Sequence, residues 1–500
     1  MVSAGRPVGA GSVTAAGRRE RWAAWVLLLG AALIGGALRV HLALTEDGIF
    51  WPDEVYQSLE PAHRLVYGYG FTAWEFIEGA RNWTFPALIA GILEVCRALG
   101  LDAPRQYLTA VRLAMVALAM VSIWGVYQLA LSLGAARLAA ALGAGAFALA
   151  APAIYFSFRA NAEVASTALV LFGIAWAGRE GAGRRALIAG ASLLGIAVLF
   201  RLQNAFYCIV LLGMLGHRRE WRAAGLVTAV LGGWAVVLGA IDLFTWGSWF
   251  HSALTYLRFN SSPRVALLFG SSPPAYYLRN LLHSLGALAP PLGLLALLSA
   301  RRAPVLLVGT IAIVVIYSLV PHKELRFIYP VIALAAALAA VGLDWLVARV
   351  GSRWGGVAAG ALLAGAVGGV IALPSVTFGD LGQYGVGRGE VSAYGYGASV
   401  NRLLMAAHDR PDLCGLRLDG TGIVRTLGYA GLHRAVPLYS TPGPAAESGY
   451  FNYAIVAAGA PHEGTMVARD GAVDLLRLDR SSCVPDPGFG YTFEGDPLQG

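Results

Sequence analysis

The stretch WPDEVYQSLEPAHRLVYGYGFTAWEF (residues 51–76) carries Asp53, Glu54, Glu60 and Glu75, with Glu78 just beyond, in a chain of which only 13% is charged. Far downstream, PHKELRF (321–327) places His322, Lys323 and Arg326 within five residues, while SFRANAE (157–163) and RLQN (201–204) add Arg159 and Arg201. Arginine and lysine are natural partners of a phosphate. A carboxylate facing them can accept a proton from a hydroxyl under attack. A basic cradle opposite a carboxylate therefore fits transfer of a sugar from a lipid phosphate to an acceptor hydroxyl, the cations stabilising the departing phosphate as the glycosidic bond breaks. Each group also has a plainer use. Asp53 and Glu54 follow a proline and suit the first turn of a helix over 54–66. His63 and Arg64 suit that helix's polar face, His322 a helix end, and Glu324 a pairing with Lys323 or Arg326.

Groups so distant in sequence are brought together only by the elements between them, and those read as membrane helices. Hydrophobic residues make up 57% of the 500, and apolar runs of about 20 residues recur from 26–44 to 355–372, the length that crosses roughly 30 Å of hydrocarbon. The first run is too long for a cleaved signal peptide and lacks its small-residue exit, so it reads as a retained helix. The net charge of +8 sits in short loops: GRRERW, GREGAGRR, HRREWR, ARR at 300–302, and Arg349 with Arg353. Such loops mark the cytoplasmic side. No basic patch is interleaved with aromatics, so nucleic acid is set aside as a partner.

Keeping every arginine cluster on one side of the bilayer requires eleven crossings: 22–44, 107–131, 137–153, 164–178, 186–200, 203–216, 223–246, 283–299, 305–320, 327–348 and 354–373. Residues 1–21 then form a cytoplasmic tail, 22–373 an α-helical membrane domain and 45–106 its first external loop. Residues 85–99, apolar but only about 15 long, lie along the outer surface in this scheme. The acid-rich stretch, SFRANAE, RLQN and PHKELRF then all fall at outer helix ends, where ionisable groups are costly and usually functional.

From Pro374 the composition changes to Tyr/Gly-rich sequence and then to short β-type runs punctuated by Gly and Pro. Residues 374–500 read as an extracytoplasmic α/β domain, folded from about 395. GTGIVRTLG lacks the G-x-G-x-x-G spacing, which leaves a structural cap as the plainest reading. Cys96 and Cys208 fall in apolar helices as buried thiols, whereas Cys414 and Cys483 lie in the tail, where a disulfide is permitted. No His or acid cluster has metal-ligand spacing, and neither D-x-D nor H-E-x-x-H occurs, so no metal or other cofactor is expected.

PDEVYQSLEPAHRLVYGYGFTAWEF, followed by RNWTFP (81–86), resembles the first external loop of the dolichyl-phosphate-mannose-dependent mannosyltransferases, and HKELRFIYPV (322–331) resembles that family's second hallmark. The likeness covers about residues 22–350 and is nearest to members acting in GPI-anchor and lipid-linked oligosaccharide assembly. It implies a GT-C fold and inverting transfer from a polyprenyl-phosphate sugar donor. Asp53 takes the place of the catalytic base, with Glu54 as its neighbour and possible substitute. His322, Lys323 and Arg326 become phosphate binders or supports of the first loop, beside Arg159 and Arg201. Trp74, Glu75 and Arg81 match loop positions that shape the acceptor site. Two departures, Trp51 where many members have His and RNW in place of RS-Y/F, bear on the acceptor. The Gly/Ala/Arg-rich composition resembles that of a high-GC bacterial chain, which points to an inner-membrane enzyme acting on an extracytoplasmic glycan or glycolipid. Inversion needs one base and a stabilised leaving group rather than two carboxylates acting in succession. The alternatives are a transporter or lipid-linked glycan flippase, with polar groups near the midplane on broken helices, and a scaffold that binds through its tail.

Overall fold

The computed structural model describes residues 15–261, 270–383, 389–440, 450–460, 464–479, 484 and 486–492. All the segments assigned above as crossings lie on helices. Gly17–Thr45, Pro104–Ser132, Trp221–Trp246, Tyr276–Arg301, Leu325–Val350 and Ser352–Ser375 are long and apolar enough to cross a membrane. Arg137–Leu149, Ala162–Ala177, Leu202–His217 and Pro304–Leu319 are shorter apolar helices. The segment drawn as one helix over 137–153 is broken at Ala150. Pro152, which has no N–H to continue the ladder, sits in the first turn of a separate short helix, Ala151–Tyr155. That break delivers the chain to SFRANAE.

Tyr329–Val350 is the central helix, buried along most of its length by Pro104–Ser132, Arg137–Leu149, Ala162–Ala177 and Ala289–Leu298. Small residues make this possible. A Cβ on Gly143 would come within 2.5 Å of the Ala336 carbonyl, and one on Gly342 within 1.8 Å of the Leu295 carbonyl. Close approach of backbones replaces the hydrophobic drive that lipid does not supply. The Thr84–Ala98 helix has 15 residues, about 22 Å at 1.5 Å per residue, short of the roughly 30 Å of hydrocarbon. It buries Phe85, Ile89, Leu93 and Cys96 along one stripe, against the Glu60–Tyr67 and Pro104–Ser132 helices.

In the first loop the chain turns helical at Pro52. Val55–Leu59 is a π-turn, and the Glu60 N–H bonds the Val55 carbonyl. Pro61 accounts for it, since the residue that would continue the ordinary ladder has no N–H to give. Beyond the bundle, β1 (Leu416–Leu418), β2 (Leu438–Ser440), β3 (Tyr453–Ala457), β4 (Thr465–Asp470) and β5 (Val473–Arg477) form a sheet of order β2-β1-β3-β5-β4. The β1 strand runs parallel to both β2 and β3, and β5 antiparallel to β3 and β4. The Ala398–His408 helix packs against it. Cys414 is disulfide-bonded; Cys483 lies outside the described residues. Cys96 and Cys208 are free and buried.

The C-terminal unit is docked onto the first loop. Tyr56 Oη donates to the Ile423 carbonyl (2.7 Å), Tyr107 Oη to that of Ala430 (2.6 Å), and Asn401 Nδ2 to that of Asp47 (2.7 Å). Glu60 is not a site residue. It is fully buried and accepts the N–H groups of Phe71 (2.7 Å) and Ala430 (2.6 Å), tying loop to unit. Burial pushes its carboxyl up to about 8 against the pull of those donors.

A histidine pair closes the same interface. His63 Nδ1 donates to the Tyr69 carbonyl (3.1 Å), so its Nε2 accepts from His433 Nδ1 (2.9 Å). Burial, then the facing His433, hold His63 down at about 3. Burial holds His433 at about 4, against the upward pull of Asp102. An unfolded histidine titrates near 6.5, so between about 6.5 and 4 the unfolded chain binds more protons and stability falls with pH. In thermal melts of the purified protein, the stability lost between pH 7 and 5 is expected to be about 2 kcal/mol for one such histidine. His433→Asn keeps an N–H donor and suits the left-handed φ of 46°. It should remove that residue's share of the slope. Glu60, raised to about 8, changes stability in the opposite sense over this range, so the comparison between variants carries the test: the same pH dependence in wild type and His433→Asn would contradict the interface described here.

Candidate active site

Neighbouring residues on a helix point about 100° apart, and the two first-loop acids accordingly part ways. Asp53 faces a cleft with its side chain 29% exposed. Glu54 turns inward to a buried ion pair with Arg159 at 2.7 Å. Arg159 is held there by the Tyr155 hydroxyl (2.9 Å) and the Gly48 carbonyl (3.2 Å). Glu54 and Arg159 line a separate small hollow with Glu46 and Arg112. The turn itself is set by aromatics. Phe50 stacks on Phe378 at 3.7 Å, and Trp51 meets Tyr155 and Phe156 at 5.7 and 5.3 Å.

The cleft opens where the Ala162–Ala177 helix begins, the Arg184–Phe200 helix ends and Leu325–Ile328 leads into the central helix. It is open to solvent on one side, and its walls include Asp53, Arg81, Asn161, Glu163, Arg201 and Arg326. Arg326 ties them together. Its guanidinium bonds Asp53, reaches Glu163 Oε1 at 3.3 Å, and donates Nε–H to Glu324 Oε2 at 2.5 Å. Arg201 reaches the same Glu163 oxygen at 3.0 Å. Both guanidinium groups lie over the Phe327 ring, 5.3 and 4.9 Å from its centroid. Burial works against the Glu324 carboxylate, but Arg326 and His322 outweigh it and hold its pKa at about 2.

The structure thus brings Asp53, Arg81, Arg201 and Arg326 to one cavity. His322 stands one step behind, its Nε2 at 3.2 Å from Glu324. Lys323 is turned away, its ammonium donating to the Ser272 (2.7 Å) and Pro321 (3.4 Å) carbonyls. Trp74 stacks on Phe259 at 4.3 Å, and the Arg81 guanidinium lies 5.6 Å from the Tyr256 ring centroid. Glu75 accepts from Gln57 Nε2 at 2.6 Å. Burial, and then the charge of Asp53, push its carboxyl up to about 7. Gln57, Asn161 and Glu163 were not singled out from the sequence. Gln57 had a signal in its position four residues after Asp53 on a helix, and the other two in the polar break SFRANAE. Among the described residues no group of three or more His, Cys, Asp or Glu side chains is arranged to hold a metal ion.

In comparisons with known proteins, the chain matches the model of the Alg9-like mannosyltransferase family over residues 32–386. GPI mannosyltransferase 3 of Yarrowia lipolytica is 35% identical over 320 residues, 61% of this chain and 60% of that one. GPI alpha-1,2-mannosyltransferase 3 of Bos taurus is 27% identical over 304 residues, 59% and 55% of the two chains. The chain therefore spans little more than half the length of these relatives. Among solved structures, ArnT from Cupriavidus metallidurans bound to undecaprenyl phosphate superposes with a TM-score of 0.61 at 16% identity, covering 92% of this chain and 99% of that one. The oligosaccharyltransferase AglB from Archaeoglobus fulgidus, in complex with an inhibitory peptide and a dolichol-phosphate, gives 0.56 at 12%, covering 88% and 70%. At such identities the likeness speaks to fold, and the fold is GT-C, that of a multi-pass membrane protein. With the first-loop acids and HKELRF both inside the matched region, the chain belongs to the Alg9-like mannosyltransferase family.

Proposed function

We propose that the protein moves a mannose-type sugar, with inversion, from a polyprenyl-phosphate donor to a hydroxyl of an extracytoplasmic glycan or glycolipid, working in the inner membrane of a bacterium. The observation that carries this reading is the direct contact of Asp53 with Arg326 in a cleft that also holds Arg201 and Arg81. A donor phosphate seated on Arg326 and Arg201 would leave its sugar next to Asp53. Asp53 takes the proton of the acceptor hydroxyl, and the freed oxygen attacks the anomeric carbon. The bond from that carbon to the phosphate oxygen breaks with its electron pair, and the guanidinium groups stabilise the phosphate that leaves. Cationic side chains then supply the charge that nucleotide-sugar enzymes draw from a metal.

Glu54 and Arg159 support the turn that presents Asp53, and Lys323 braces the loop before Arg326 through two carbonyls. Arg81 and Gln57 line the cleft, Glu75 bonds Gln57 and Trp74 stacks on Phe259, which supports a role for this part of the first loop in holding the acceptor. A transporter or flippase would carry its polar groups part-way along its helices. Here they gather at helix ends, which favours transfer.

The direct test is reconstitution with polyprenyl-phosphate-mannose and a panel of lipid-linked acceptors. Asp53→Asn should form product about 10²- to 10⁴-fold more slowly while still binding bare polyprenyl phosphate, and EDTA should leave the wild-type rate unchanged. Equal rates for wild type and Asp53→Asn would remove Asp53 as the base. Product formed only from a nucleotide sugar would overturn the donor. Arg326→Met leaves Asp53, Glu163 and Glu324 without their shared cation, and should lower stability by about 3–5 kcal/mol in thermal melts. Adding Glu324→Gln should restore part of that loss.

A further inference from the structure

Asn161 and Glu163 line the cleft, and three of their polar atoms have no hydrogen-bond partner among the described residues: Nδ2 and Oδ1 of Asn161, and Oε2 of Glu163. All are buried, and buried polar groups left unsatisfied are rare in folded chains. Asn161 is the residue before the Ala162–Ala177 helix, with extended backbone and a main-chain carbonyl that accepts from Val164 and Ala165. An asparagine there ordinarily turns its side chain back onto the first N–H groups of the helix. This one does not. Glu163 gives its Oε1 to both Arg201 (3.0 Å) and Arg326 (3.3 Å) and keeps Oε2 free.

An amide offers two donors and an acceptor, and a carboxylate oxygen accepts only. Neighbouring hydroxyls on a pyranose are donors and acceptors at once, and they complement that set. A phosphate does not, because Glu163 Oε2 would repel it. The two oxygens of Glu163 fix the order along the ligand. One is bound to the arginines of the phosphate site, so whatever meets the other lies immediately beside that phosphate.

We propose that Asn161 and Glu163 form the sugar-reading subsite of the cleft, binding hydroxyls of the hexopyranose joined to the lipid phosphate. This rests on the function proposed above and adds to it the residues that tell a glycosylated donor from a bare lipid phosphate. Asn161 isolates the effect, because Glu163 also serves the arginines.

The test measures binding of polyprenyl phosphate and of polyprenyl-phosphate-mannose to the full chain in nanodiscs, for wild type, Asn161→Leu and Asn161→Ser. Asn161→Leu should bind the mannosylated lipid about tenfold more weakly, the size of two lost neutral hydrogen bonds, with affinity for bare polyprenyl phosphate within about twofold of wild type. Asn161→Ser, which keeps one hydroxyl, should fall between. The melting temperature should not drop in either variant, since no bond within the protein is removed; a drop would assign Asn161 a structural role and overturn the subsite. Equal weakening for both lipids, or unchanged binding of the mannosylated one, would overturn it too. Wild type that binds neither lipid would instead sink the proposed function itself.

Discussion

Arg326, only 1% exposed, meets carboxylates from three parts of the chain: Asp53 of the first loop, Glu163 in the first turn of the Ala162–Ala177 helix, and Glu324 beside it in sequence. Removing a guanidinium from water costs several kcal/mol, which only close, well-directed anions offset. The dependence is mutual. Each carboxylate without Arg326 would face other negative charge in a poorly hydrated place. The first loop is therefore held to the helix bundle by electrostatic necessity at Asp53, with Arg201 sharing Glu163 as a second fixed point.

The residues on either side of Asp53 are held by a different kind of contact. Their backbone and side chains hydrogen-bond to residues more than 300 positions away: Ile49 N–H to the Tyr396 carbonyl, Glu60 to Ala430 N–H, Tyr56 to Ile423. Several are buried, where a missing partner would cost about 1–3 kcal/mol. The loop thus lacks the partners to hold its shape without the C-terminal unit. That unit, which reads from its sequence as a structural cap, supplies the partners that hold the first loop in place. The π-turn at Val55–Leu59 carries Tyr56, bonded to the C-terminal unit, and Gln57, which bonds Glu75 and lines the cleft.

The helices were legible because apolar runs of membrane length leave little choice of structure, and the two motifs were legible because their polar residues stand out against those runs. What each polar side chain touches was not. Asp53 and Glu54 are chemically alike and adjacent, and nothing in PDEV says which one turns inward to Arg159. Lys323 and Arg326 share a motif, yet the short turn after Pro321 sends Lys323 to backbone carbonyls and Arg326 into the cleft. Glu60 reads as a third candidate acid until Ala430, 370 residues on, is seen donating to it. The helices themselves give little help, since a segment that is apolar all round has no polar face to mark which side meets its neighbours.

Asp53, the base under the proposed transfer, is bonded to the same arginine that the leaving phosphate would need. With an oxygen engaged by Arg326, Asp53 has fewer lone pairs to offer an acceptor hydroxyl. Under the proposed transfer a donor phosphate competes for that guanidinium. It can do so because phosphate offers more acceptor oxygens and suits the same forked donor geometry. The cation then turns toward the phosphate, and Asp53 is left facing the acceptor with its lone pairs free. Glu163 and Glu324 keep Arg326 paired throughout. Under that transfer the release of Asp53 is coupled to the arrival of donor.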